Sequence, residues 1–240
     1  MSNPLLNRNY SEYAGTMSEP LTINGVLQKT AILFVILFAS AVFVWMKGLE
    51  GHIDMVNTLT TAGAISGFIL ALIIIFAKAM VLTPLYAVAQ GLFIGGISMI
   101  FERTFPGIVQ TATLGTIMTV AGMLFLYSTK IIQCTNTLRK TVILSTFAIG
   151  GIYLVQIIGS FFGLSIPGLF SNGTVGIVFN LLVIGVAAFN LVIDFDNIES
   201  ASNNFLPKNF EWYFGFSLMV TILWIYVEIL RLVAKLQSRD

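Results

Sequence analysis

Seven stretches of this chain run almost without interruption through Leu, Ile, Val, Phe, Ala and Met, separated by short polar punctuation. The first opens near Gln28-Lys29-Thr30 and closes at Lys47-Gly48, and the second covers about Leu59 to Ala77 and stops at Lys78. The third starts with Pro84 in its first turn, where a missing amide costs little, and ends at Glu102-Arg103. A corner at Pro106-Gly107 precedes the fourth, which runs to Tyr127. Thr141–Phe162, Thr174–Ile193 and Trp212–Val233 complete the set. Several of these reach the ~18 apolar residues with which a helix crosses the hydrocarbon core. Backbone groups in lipid find partners only within the helix itself. The pattern predicts an all-α polytopic membrane protein of seven spans. Residues 1–25, rich in Asn, Ser and Glu, read as a polar tail, and residues 26–236 as the membrane domain.

The last two runs carry more than wall. Acidic side chains sit where the sixth run ends, in the short polar link Asp194-Phe-Asp196-Asn-Ile-Glu199, and inside the seventh, at Glu228. At about 100° per residue, Gly176, Asn180, Val183, Ala187, Asn190 and Asp194 share one face of the sixth helix. Ser217, Thr221, Trp224, Glu228, Arg231 and Lys235 fall within one arc of the seventh. Polar groups at membrane depth need partners or water, so both stripes should face protein or a cavity. Glu228 is expected roughly 7 Å inside the helix end, with Arg231 at i+3 as its partner. The plain reading makes these groups interhelical hydrogen bonds, a rim carboxylate and an interfacial ion pair. The functional reading makes the carboxylates stations along a cation path. Lys78 is either a snorkelling anchor or a partner for the region of Asp194. The pairs Gly63/Gly67, Gly91/Gly95 and Gly159/Gly163 have the four-residue spacing that lets helices approach closely.

Composition agrees with the pattern. The chain of 240 residues is 57% hydrophobic and 10% charged, with a mean hydropathy of +0.91, whereas soluble domains carry roughly 25% charge. A net charge of +1 offers no field for nucleic acid. The single cysteine, Cys134, excludes an intrachain disulfide, and the single histidine, His52, excludes a His-rich metal centre. The polar start lacks the apolar core of a cleavable signal. Neither HExxH, Gly-x-Ser-x-Gly nor a phosphate-cradling loop is present. No enzyme, cofactor or resident metal is therefore expected. Lysine and arginine in the links favour a cytoplasmic N-terminus, mainly through Lys130, Arg139 and Lys140 in the fourth link against none in the fifth.

Three segments, in this order and spacing, carry a family likeness: Tyr86-Ala-Val-Ala-Gln-Gly-Leu-Phe-Ile-Gly-Gly-Ile-Ser98, Leu191-Val-Ile-Asp-Phe-Asp-Asn-Ile198 and Val227-Glu-Ile-Leu-Arg231. Over residues 26–238 the chain resembles the Bax-inhibitor family, and its bacterial YccA-like branch in particular. The resemblance implies a bundle with a central seventh helix, a bacterial plasma-membrane location and a pH-sensitive calcium leak. It further implies a proton shared between an aspartate ending the sixth span and one in the seventh, with a basic residue near the end of the second. Those positions map onto Asp194, Thr221 and Lys78. Thr221 cannot ionise, so the expected proton- and cation-sensing set is Asp194, Asp196 and Glu228. Lys78, Asn180, Asn190, Thr221 and Arg231 are expected to support it. The resemblance also implies a rival function: a non-transporting regulator bound to a membrane protease or a stress-signalling partner.

Overall fold

A computed structural model describes residues 19–163 and 168–238. Seven helices in it are long and apolar enough to cross a membrane. They are α1 (Ile23–Leu49), α2 (Ile53–Ala77), α3 (Thr83–Thr104, entered through a short 3-10 turn, Met80–Leu82) and α4 (Ile108–Ser128). After these come α5 (Asn136–Phe161), α6 (Thr174–Asn203) and α7 (Phe210–Gln237). Among the described residues there is no strand, only an isolated bridge between Pro20 and Pro207. The all-α polytopic bundle read from the sequence is the fold. Of the seven spans, α7 is the most enclosed, with 50% of its span buried against 11–22% in α1, α2, α4 and α5. That is the burial expected of a central helix. The outer faces of α1, α2 and α5 carry exposed Phe38, Phe68, Phe76, Leu144 and Phe147, a surface suited to lipid chains.

The chain divides into two compact units. The first joins Met1–Ile97 to Asp196–Met219; the second joins Ser98–Phe195 to Val220–Asp240.

In the first unit, α1 begins five residues ahead of Gln28 because two local devices start it. The Thr22 hydroxyl accepts the Gly25 amide at 2.9 Å. The Thr22 amide and hydroxyl in turn donate to the Glu211 carboxylate, at 3.2 Å each. Glu211 is fully buried in the first turn of α7, where a negative charge also complements the helix dipole. A side chain at Gly25 would overlap that carboxylate. Just before α1, the Leu21 amide donates to the Leu206 carbonyl and the Lys208 amide to the Glu19 carbonyl. Residues 19–22 are thus tied to the link ahead of α7; the rest of the expected polar tail, residues 1–18, lies outside the described residues. Lys208 also pairs with Glu19, and that hydrogen bond holds the exposed carboxyl below its ordinary range.

Two of the three glycine pairs do pack helices closely. A Cβ at Gly91 or Gly95 would run into the α1 backbone at Leu37 or Ala41, and one at Gly63 into the Ala89 carbonyl of α3. Gly163 does not: it lies beyond the end of α5 at φ +71°, in open space.

In the second unit, Glu102 caps the start of α4. Its two oxygens accept the Gly107 amide at 2.7 Å and the Val109 amide at 3.0 Å, satisfying donors that the start of α4 leaves open. Glu102→Ala is expected to cost about 1 kcal/mol, the usual loss for a helix N-terminal cap. Thermal denaturation in detergent measures it, and Glu102→Gln should recover part of the loss.

The end of the sixth span differs from the sequence reading. Asp194 to Glu199 is not a link; α6 continues nine residues past Asp194 to Asn203. No glycine or proline interrupts residues 186–206, so nothing in the backbone stops the helix there. The turn comes only where Asn204, Phe205 at φ +53° and Pro207 follow.

Candidate functional site

The polar side chains of the second unit assemble around α6 and α7. The stripe arithmetic gave the right face: Asn180 and Asp194 of α6 and Thr221 and Glu228 of α7 are all buried. They meet in two places.

In the first place, the Thr221 hydroxyl donates to Asp194 Oδ2 at 2.6 Å, with both residues less than a tenth exposed. This is a short bond between a hydroxyl and a carboxyl oxygen. Asp196 cannot join Asp194 there as a second carboxylate. Because α6 is continuous, the two are i and i+2 on one helix, and such residues do not face each other. Asp196, expected beside Asp194 in the sensing set, therefore stands on another face of the same helix. It belongs to the first unit and is half-buried.

In the second place, Glu228 is 1% exposed. Its Oε1 accepts the Tyr153 hydroxyl of α5 at 2.8 Å and its Oε2 accepts the Asn180 amide at 2.9 Å. Arg231 reaches Oε1 only at 3.4 Å. Its guanidinium also lies 5.3 Å from the centre of the Tyr153 ring, so it contributes mainly charge and stacking. Tyr153 packs in turn on Phe170 and Phe179. Helix α7 runs nine residues beyond Glu228. The carboxylate therefore lies about 13 Å from the helix end, deeper than expected, among protein partners.

A further residue closes this second cluster. Lys235 Nζ donates to the Asn180 side-chain oxygen and to the Gly176 and Leu169 carbonyls. Asn180 thus bridges Lys235 and Glu228, accepting from one and donating to the other.

The remaining expectations divide. Asn190 lies at the edge of the stripe and bonds elsewhere: its amide donates to Thr146 of α5 at 2.8 Å and to the Val186 carbonyl of its own helix. Lys78 belongs to the first unit, exposed, as the left-handed C-cap of α2 at φ 51°. Ser98 of α3 shares a buried hydrogen bond with Tyr226 at 2.7 Å. Among the described residues, no three His, Cys, Asp or Glu side chains gather into a group able to hold a metal ion.

Three polar contacts escape a sequence reading. Tyr153 stands among Leu, Ile and Val and looks like wall. Lys235 resembles any basic anchor at a helix end. Glu211 sits at the edge of an apolar run, where polarity is ordinary. The one available signal was that Lys235 lies in the same arc as Glu228, two turns on.

A family model described as Bax inhibitor 1 like matches residues 3–238 of the chain. No curated protein matches it.

Proposed function

We propose, for a chain that belongs to the Bax inhibitor 1-like family, a calcium-permeable cation leak whose path follows the polar groups of the second unit. The multi-pass domain would lie in a bacterial plasma membrane with its N-terminus cytoplasmic, which puts Glu228 toward the outer face and Asp194 toward the inner one. One observation carries the reading. Two carboxylates, Asp194 and Glu228, are buried inside spans apolar enough to cross a membrane. Carboxylates are expensive there, and ionisable groups at membrane depth commonly mark ion pathways. Their oxygens also suit a hard cation such as Ca²⁺.

The pH response in this proposal acts at Glu228. Two facing carboxyls hold one proton between them and repel once it is lost. A Thr221 hydroxyl facing Asp194 behaves differently, because it donates to a charged carboxylate at least as well as to a neutral one. Proton loss at Asp194 therefore leaves that contact closed. A proton on Glu228 would turn one of its two accepting oxygens toward donation and remove the negative centre that Arg231 faces and that attracts a cation. Flux should fall on acidification.

Purified protein in calcium-free vesicles tests this. Asp194→Asn keeps an acceptor for Thr221 and removes only the charge, so a roughly tenfold drop in calcium entry, about 1.4 kcal/mol of barrier, would report the charge itself. Unchanged flux in that variant would refute the proposal.

A second reading, a non-transporting regulator of a membrane protease or stress-signalling partner, has one observation in its favour. The Glu228 cluster contains two cationic heads, Arg231 and Lys235, against one carboxylate, a balance that holds cations off. This reading predicts no flux at any pH.

A further inference from the structure

A lysine in the last turn of a membrane-spanning helix ordinarily stretches its amine outward to the headgroups. Lys235 does the reverse. It is half-buried, and its amine turns back onto α6 and the turn before it. There it donates to the Gly176 carbonyl at 3.1 Å, the Leu169 carbonyl at 3.5 Å and the Asn180 side-chain oxygen. An ammonium has three N–H donors and no acceptor, so three oxygens from three residues match it one for one. Asn180 cannot turn its amide to abandon this role. Its nitrogen is committed to Glu228 at 2.9 Å, and a flip would set that nitrogen against the lysine and the oxygen against the carboxylate. Glu228 thereby fixes the orientation of an oxygen it does not itself present to Lys235.

We propose that the Leu169, Gly176 and Asn180 oxygens form a site for a small N–H-bearing monovalent cation, and that the chain occupies it with its own Lys235 as a tethered plug. The chemistry selects the class. Calcium takes six to eight oxygens and magnesium a full octahedron, which three uncharged oxygens do not provide. Glu228 lies beyond the Asn180 amide and already faces Arg231, so the three oxygens have no carboxylate of their own to hold more than a single positive charge. The site exists whether or not the parent conducts calcium. Under the leak reading it would be one closure of the path at the Glu228 end.

The test is thermal denaturation of the full-length protein in detergent, with propylammonium chloride as the probe. Lys235→Ala empties the cage and leaves room for the stem of propylammonium. The variant should melt below the parent, and the probe should raise its melting temperature by about 2–4 °C while leaving the parent unmoved. Tetramethylammonium, equal in charge but without an N–H, should do nothing. Should Lys235→Ala not fold, Lys235→Met retains the apolar stem, and plain ammonium chloride becomes the probe with the same expected rise. Adding Asn180→Leu to either variant should abolish the response. The proposal is overturned if neither variant is stabilised by its N–H-bearing probe, or if tetramethylammonium stabilises as well. Calcium flux does not enter the readout, so failure here and failure of the leak reading remain distinguishable.

Discussion

Glu228→Ala should be the most destabilising single substitution in the second unit, by about 3–5 kcal/mol, the range for removing one partner of a buried charged group. Its loss strands the Tyr153 hydroxyl and the Asn180 amide, which bond it at 2.8 and 2.9 Å. Arg231 is partly exposed and can rehydrate, so the buried Asn180 and the half-buried Tyr153 carry most of the cost. Glu228→Gln separates charge from shape. A glutamine offers one acceptor where two are used, and Asn180 cannot rotate to compensate because Lys235 holds its oxygen. With its oxygen toward Asn180, its amide nitrogen faces the Tyr153 oxygen, which can accept, and Arg231, which cannot, and the Tyr153 proton loses its acceptor, at about 1–3 kcal/mol. Thermal melting of the two variants measures the ordering, with Ala below Gln and Gln below the parent. A pair with Asn180→Leu should be less than additive with Glu228→Ala, since both remove the same bond.

The second large effect is expected from Thr221→Asp. Threonine and aspartate are close in size, so the buried contact with Asp194 is kept while its donor becomes a second acid. With O···O at 2.6 Å in the parent, two carboxyls there cannot both ionise cheaply. Like charges at 4 Å repel by about 4 kcal/mol at an effective dielectric of 20. The pair should hold one proton and lose stability as pH rises past its release. The parent, with a hydroxyl at this position, should show no such loss from this contact. Melting temperature followed between pH 5 and 9, roughly the span in which a shared proton leaves a carboxyl pair, distinguishes them. Parallel curves for variant and parent would remove the argument that a hydroxyl uncouples this contact from pH.

Much of the architecture was legible because membrane helices announce themselves through unbroken apolarity, and all seven runs became helices. Their ends were less legible. Asp194, Asp196 and Glu199 look like the polar edge of a span, yet polarity does not stop a helix; backbone chemistry does, and none appears before Asn204-Phe205-Leu206-Pro207. That misplacement set Asp196 beside Asp194 in a link, whereas the two are i and i+2 on one continuous helix. At the start of α1, Thr22 and Glu211 are 189 residues apart, and no local pattern could join them.

The candidate site was half legible for a related reason. Helical periodicity placed Asn180, Asp194, Thr221 and Glu228 on the correct faces, because a stripe depends only on spacing. It could not tell that Asn190 turns to Thr146 or that Tyr153 comes across from α5, because those contacts depend on which helices are neighbours. Nor does spacing say whether a terminal lysine reaches outward or folds back, which depends on acceptors in a distant turn.

Calcium entry into vesicles holding the parent, Asp194→Asn or Glu228→Gln, followed across pH, tests the conduction reading most directly. The account predicts entry through the parent that falls on acidification, and a low, pH-independent trace for Glu228→Gln, whose neutral side chain mimics the protonated acid. A Glu228→Gln trace that overlays the parent at every pH, or a parent indistinguishable from empty vesicles, would contradict it and leave the regulator reading standing.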